Sequence, residues 1–505
     1  MSGTPQRGDT VAVIAGARLV GTSRPDPFGD DPVDLHLDAG RIVDIAPAGA
    51  LPQPPASRGA VVHADGSWVV PGLWDHHVHT VQWALSARRQ PLGAATTAAE
   101  AAALMARAPV LEGDRRIGTG FRDALWPDEM TLAALDAATG DVPTYLINAD
   151  VHSVWLNSAA LRREGFPAAD AGVLREEPAF EISRRLNAAD PAVADRLVGQ
   201  ALQQAAARGI VGIVDLDMAW NADAWRRRLS AGFDATRIRF GVYPHHLERA
   251  LAEGLRTGDP FDDAGRVRVG AVKVITDGSL GTRTAACSHP YPGEPHNHGM
   301  LTVAPDTLVE LMTRATGGGL HCAIHAIGDV ANSHALDAFA VTGATGVIEH
   351  AQLVAHADIP RFARLGVAAS VQPEHAIDDR DLTDAIWADQ TAIAYPLRAL
   401  AEAGANLLFG SDAPVATLDP WAAMASAVHR TRDGRDAWRP EQRVDAETAL
   451  AASTAGGSAT GAVVEPGSLA DLVLVDRNPL RADEPGLRET QALATMIEGR
   501  LTHVA

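Results

Sequence analysis

The sequence is poor in cysteine: Cys287 and Cys322 are the only two in 505 residues. Two thiols make no disulfide framework, so a disulfide-stapled secreted scaffold is excluded and a reducing compartment fits. No run approaches the ~18 apolar residues that a bilayer crossing requires. The start, Met1 to Thr10, lacks the charged-then-apolar pattern of a signal segment. The apolar run Val11 to Val20 contains Arg18 and reads as a strand. Positive charge is also short. Against 63 Asp and Glu stand 43 Lys and Arg, a formal net charge of -20. Such a surface attracts neither nucleic acid nor an anionic membrane. The expectation is a cytoplasmic protein with a small-molecule substrate, no nucleic acid and no membrane partner; a homodimer is an admissible assembly. Low-complexity tracts and sequence repeats are absent too.

What is present is ordinary for a globular chain: 46% apolar and 21% charged residues. The length suggests two or three domains. Residues 11–70 read as short strands and turns. Asp34-Leu35-His36-Leu37 leads through Asp38-Ala39-Gly40 into Arg41-Ile42-Val43-Asp44-Ile45, a hairpin pattern. The far end has the same texture, with Asp471 to Asp476, Ala494 to Ile497 and Leu501 to Val504. Neither piece makes a comfortable domain alone, so both chain ends are expected to build one small β-sandwich.

Between them, apolar runs alternate with Ala-, Leu- and Arg-rich helical stretches. The strand before His77 is followed by Ile210 to Leu216, Ile238 to Tyr243, Val267 to Ile275, Leu320 to His325, Thr345 to His350, Val367 to Val371 and Asn406 to Phe409. Continuous buried runs separated by helices indicate parallel βαβ units. Eight of them predict an α/β fold, a (β/α)₈ TIM-type barrel. The expected organisation is 1–70 as the N-terminal part of the sandwich, 71–455 as the barrel and 456–505 as the C-terminal part. The stretch from about 82 to 208 is too long for one crossover and reads as an insertion at the rim. It holds helical stretches, Ala94 to Ala108 and Ala192 to Ala207, and strand-like runs, Ile117 to Phe121 and Thr144 to Asn148.

The chemistry collects at the strand ends. His77 and His79 follow the apolar run Trp68-Val69-Val70, in Pro71-Gly72-Leu73-Trp74-Asp75-His76-His77-Val78-His79-Thr80. In an extended strand, residues two apart point the same way, so the two imidazoles can grip one metal ion. Lys273 lies inside the apolar strand Ala271 to Ile275. A buried ammonium is costly. From the strand alone two remedies are open. One is a salt bridge to an acid such as Asp277. The other is carboxylation by CO₂ to N6-carboxylysine, an anionic oxygen ligand able to bridge two metals. His325 and His350 each end an apolar run; alone, either suits a hydrogen-bonded core histidine as well as a ligand. Asp412, in Gly410-Ser411-Asp412-Ala413-Pro414, could accept a proton from a metal-bound water.

The ordered set His77, His79, Lys273, His325, His350 and Asp412 resembles the amidohydrolase superfamily. The match is to its third amidohydrolase family, which includes N-substituted formamide deformylases. The segments that carry the resemblance are Pro71 to His79, Val272 to Leu280, His325-Ala326-Ile327-Gly328-Asp329, Ile348-Glu349-His350-Ala351-Gln352, Ser370-Val371-Gln372-Pro373, Gly410 to Pro414 and Glu465 to Val473. Ser468 departs from a frequent Lys at its place. The resemblance implies one or two divalent ions, zinc by donor type. His77 and His79 would hold the more buried ion, with Asp412 below it. Lys273, as its carbamate, would bridge to a second ion on His325 and His350. Without carboxylation, His77, His79, His325 and Asp412 would surround one ion. Asp412 and His350 are the candidate catalytic residues. The implied activity is hydrolysis of a non-peptide C–N bond in an amide, formamide or cyclic amide. Esters, carbamates and deamination remain alternatives on the same site, as does a non-catalytic metal-binding regulator.

Asp150-Val151-His152-Ser153-Val154-Trp155-Leu156-Asn157-Ser158, in the insertion, resembles another family segment. His152, Trp155 and Asn157 could line the substrate pocket; a helix start with one buried Trp is the alternative. Arg283, in Gly278 to Arg283, could meet an anionic substrate group, or the segment could be a simple glycine-permitted turn. His289, His296 and His298 are expected on a mobile loop and not at a third metal site.

Overall fold

The computed structural model describes residues 5–20, 28–50, 59–111, 114–167, 171–188 and 190–505. Parts of the expected 1–70 segment (1–4, 21–27 and 51–58) and of the insertion (112–113, 168–170 and 189) lie outside the described residues.

Eight strands pair in parallel in one sheet: β1 (Leu73–Val78), β2 (Ile210–Asp215), β3 (Arg237–Val242), β4 (Val267–Ile275), β5 (Cys322–Ala326), β6 (Gly346–His350), β7 (Ala368–Val371) and β8 (Leu407–Phe409). A parallel bridge from Val78 to Ala413, just past β8, brings the two edges together. The result is a nearly closed barrel. Helices such as Pro305–Gly317, Asp329–Thr342 and Pro420–His429 pack outside it. Each strand is buried by helices on one face and by barrel filling on the other, which is why its run is apolar throughout. One large cluster joins strand residues such as Ile213, Phe240, Val274 and Ile348 to helix residues such as Leu336 and Trp421.

Trp68–Pro71 is not the start of β1 but a strand of the terminal sheet, antiparallel to Leu472–Val475. The chain changes sheets at Gly72. A Cβ there would come 2.5 Å from Val211 Cγ2, so only glycine lets the two sheets approach so closely.

Strands from both chain ends share that second system. Val11–Leu19 pairs with Val33–Asp38, Ala60–His63 and Trp68–Pro71, and Ala492–Ile497 pairs with Leu472–Val475 and Arg500–Val504. Leu35, Ile42, Leu472, Met496 and Leu501 form its core. Arg237 of β3 meets Asp471 at 2.6 Å, and Thr495 donates to the Ala206 carbonyl at 2.7 Å.

The insertion forms its own five-stranded sheet, in the order Val173–Arg175, Ser153–Leu156, Thr144–Asn148, Arg116–Phe121, Gln90–Pro91. Its helix Ala98–Arg107 is capped by Thr97, whose side chain accepts from Glu100 N. No helix among the described residues is long and apolar enough to cross a membrane.

Deleting 461–505 should strip Trp68–Pro71 of its partner and open the Leu35, Ile42 and Val69 core to water. The expected outcome is loss of soluble protein on expression. Soluble truncated protein with the circular dichroism of the full chain would refute a shared sheet.

Candidate active site

The C-terminal ends of the strands converge on an open cavity. His77 and His79 reach it from β1 and the turn after it, and Lys273 from β4. His325, His350 and Asp412 reach it from the ends of β5, β6 and β8. All six are buried. One ligand atom each of His77, His350 and Asp412 lies within 4.8 Å of the others. The ring centroids of His77 and His79 are 5.4 Å apart, of His77 and His350 4.9 Å, and of His325 and His350 4.6 Å. Asp412 Oδ1 stands 3.2 Å from His79 Nε2 and 3.4 Å from His77 Nε2. Backbone geometry is unusual here: His350 has φ of 75° and Asp412 φ of 58°. Such conformations persist where surrounding structure enforces them, typically at functional sites.

The imidazoles are oriented from behind. His77 Nδ1 donates to Glu349 Oε2 at 2.7 Å, and His350 Nδ1 donates to Gln372 Oε1 at 2.8 Å. Each bond fixes the tautomer and leaves the Nε2 lone pair free, the arrangement of metal-binding histidines. His325 Nε2 lies 3.3 Å from the Gly278 carbonyl and 3.4 Å from Asp277 Oδ1, which leaves Nδ1 free. Burial first, then the Lys273 ammonium and neighbouring imidazoles, hold His77 and His350 well below the usual histidine range. Burial would raise Asp412, but the His77 and His79 rings outweigh it and hold its carboxyl below the usual carboxylate range. Neutral imidazoles facing an ionised carboxylate are a divalent cation's donor set.

Lys273 is the only lysine in the chain; every other residue of the Lys-plus-Arg total is arginine. It is 1% exposed, and its Nζ has no hydrogen-bond partner among the described residues. The salt bridge to Asp277 is not made. Asp277 instead accepts N–H bonds from Ile327, Gly328 and Ala286 at 2.9 to 3.0 Å. Burial lowers the lysine pKa, against the pull of Glu349 and Asp412. An orphaned amine beside three neutral imidazoles and a carboxylate fits a bound divalent ion.

Of the four expected substrate contacts, only His152 lines the cavity. Its Nδ1 donates to Glu176 Oε2 at 2.9 Å, and its ring lies 5.7 Å from that of His325. Burial would lower its pKa, but Glu176 outweighs it and raises it. Trp155 lies three residues on, in the strand Ser153–Leu156, and faces the other way. It is buried against Leu92, Phe121 and Leu146. Asn157 caps the helix Ser158–Glu164: its Oδ1 accepts from Ala160 N at 2.9 Å, and its Nδ2 donates to the Val142 carbonyl at 2.9 Å. Arg283 turns outward to pair with Glu294. The expectation that these three contact substrate is corrected accordingly. The 289–298 stretch is not a loose loop either; Cys287 N donates to the His298 carbonyl at 2.8 Å and Tyr291 N to the Asn297 carbonyl at 2.8 Å.

Sequence reasoning missed several wall residues. Phe180, Met218, Leu280 and Val415 supply apolar wall, and Gln352 and His375 polar wall. Arg122 of the insertion meets Asp378 at 3.0 Å and Asp379 at 3.2 Å, closing the rim. Glu349, a charged residue inside the run Val347-Ile348-Glu349-His350, carried the same signal as Lys273.

An eight-stranded barrel with buried imidazoles and a carboxylate at its C-terminal mouth defines a metal-dependent hydrolase of the TIM-barrel type. The chain belongs to the amidohydrolase family, whose profile matches residues 60–503. It is 28% identical over 504 residues to the protein LONG AFTER FAR-RED 3 of Arabidopsis thaliana, covering 90% of this chain and 85% of that one. It is 25% identical over 414 residues to the N-substituted formamide deformylase of Arthrobacter pascens, covering 73% and 75%. A crystal structure of an uncharacterized metal-dependent hydrolase from Pyrococcus horikoshii OT3 superposes with a TM-score of 0.77 at 26% identity, over 94% of this chain and 99% of that one.

Two measurements check these assignments. Glu349→Gln should weaken divalent-metal affinity about 10–100-fold without unfolding the protein, because it loosens His77; unchanged affinity by competition titration would remove Glu349 from that role. Asn157→Ala should lower stability by about 1–3 kcal/mol and leave KM unchanged, as a lost cap and orphaned partners require. A raised KM at unchanged stability would return Asn157 to the pocket.

Proposed function

We propose that this chain is a metal-dependent hydrolase of small molecules that cleaves a non-peptide C–N bond, in an amide, formamide or cyclic amide. One observation carries the reading: a buried, ionised Asp412 within 3.4 Å of two metal-type histidines, opposite an unpartnered buried lysine. A carboxylate so placed can serve both as a metal ligand and as the proton acceptor for a hydrolytic water. Likeness to an N-substituted formamide deformylase supports the choice of C–N bond.

In this reading His77, His79, His325, His350, Asp412 and the Lys273 carbamate hold one or two divalent ions, zinc by donor type. A bound ion would bring the pKa of a water to about 7 and polarise the scissile carbonyl. Asp412 takes the proton of the attacking water on its carboxylate and passes it to the leaving nitrogen, which departs as the amine. Glu349 and Gln372 keep the His77 and His350 rings from rotating. His152, anchored by Glu176, stands on the insertion side of the cavity. Phe180, Met218, Leu280 and Val415 shed water from the reacting groups.

The zinc-loaded protein should be screened against N-formyl, N-acyl, lactam and ester substrates. Asp412→Asn should keep part of the metal and lose turnover by about 10²–10⁴. Unimpaired turnover in that variant would overturn the mechanism and favour a regulatory role. Carboxylation is read separately. Protein equilibrated with ¹³C-bicarbonate should show one carbamate carbon resonance, and Lys273→Met should abolish it. No such resonance in metal-loaded protein would leave Lys273 as a free amine.

A further inference from the structure

Arg430 follows the last residue of the helix Pro420–His429 and takes a left-handed conformation, with φ of 57°. That turn sends its side chain inward. The residue is 0% exposed. Its Nε donates to the Trp438 carbonyl at 3.2 Å, and the guanidinium lies 5.2 Å from the Trp438 ring centroid. Nη1 and Nη2 are shielded from solvent and have no hydrogen-bond partner among the described residues. The other groups that act on it do not balance its charge. Arg439 and Arg443 repel it, Glu441 attracts it, and Tyr395 stays neutral because burial pushes its phenol well above the usual range. A guanidinium does not escape by losing its proton. Burying it without an anion is costly, and the Trp438 ring offsets only part of that cost.

Arg430 lines a second, small cavity behind the active site, with room for about one water-sized sphere. Its walls include Tyr395, Gln352, Gln372, Pro373 and Ala376, and no aspartate or glutamate among the described residues. Tyr395 turns its hydroxyl to Asp379, at 2.8 Å, and so does not serve Arg430. Water entering the cavity would satisfy the N–H groups but leave the charge. A small anion satisfies both.

We propose that Arg430 and this cavity form a site for one small monovalent anion of halide size, chloride in ordinary salt, held by the Nη1 and Nη2 N–H groups. The site lies close to the chemistry. His350 and Gln352 line both cavities, and Gln372, in the wall of the second, accepts the hydrogen bond that orients His350. Occupancy therefore stabilises the loop from Arg430 to Trp438 and the back of a candidate metal ligand together.

Crystals of the full-length, metal-loaded protein grown with bromide in place of chloride locate the ion directly. The expected result is a bromine anomalous peak against the Arg430 Nη atoms. No peak there, or bromide only at the metal centre or on the surface, overturns the proposal. In solution, the unfolding midpoint should rise and saturate as sodium chloride replaces sodium gluconate at constant ionic strength. Arg430→Met should abolish that rise. An equal rise in both proteins, or none in the unmodified one, also overturns it. Should Arg430→Met fail to fold, the bromide map of the unmodified protein decides alone.

Discussion

The structure depends on the balance of charge in one desolvated place, the mouth of the barrel. Four imidazoles, one amine and one carboxylate are buried there together. Burial alone would protonate Asp412 and strip Lys273 of its proton. The hydrogen bond with His79 keeps the carboxylate charged and raises the His79 pKa in turn, while burial keeps His77, His325 and His350 neutral. The neutral rings and the ionised carboxylate are the states a divalent cation needs.

The rest of the fold holds that arrangement still. Parallel strands register His325 opposite Ile275 and Glu349, so the ligands of β5 sit beside the chains that bear Lys273 and His350. Glu349 then spans the barrel to reach His77, 272 positions earlier in the chain. The terminal sheet anchors β1 from outside, through Gly72 and the pairing of Trp68–Pro71 with Leu472–Val475. Arg122 ties the insertion, which carries His152, to Asp378 and Asp379 at the rim.

Much of this is legible in the sequence, for physical reasons. A strand covered on both faces must be apolar along its length, so the eight runs stand out. A polar side chain at the end of such a run is expensive unless it has work, which exposes the six ligand candidates. What the sequence does not carry is direction. His152, Trp155 and Asn157 share one segment, yet strand alternation separates the first two and the third is spent on a helix cap. Arg283 ends a glycine-rich loop, but its partner Glu294 lies eleven residues on, where local spacing says nothing about orientation. The break of the first strand at Gly72 is hidden because both halves of the run are apolar and only the crossing with Val211 tells them apart.

The composition holds one more signal, which a count of acids against bases conceals. The chain uses arginine for nearly every cationic role, in surface ion pairs, at the rim and in the join between barrel and terminal sheet. It uses lysine once, in the driest part of the barrel. The two residues differ in the property that matters there. A guanidinium stays charged at any accessible pH and is a poor nucleophile, whereas burial lowers the pKa of an amine and makes its proton easier to lose. Only the neutral amine can react with CO₂ and return to the site as an anion. At Arg430 the chain buries the cation that cannot change, and there an external anion has to answer it. At Lys273 it buries the one that can, and the amine itself can become the anion.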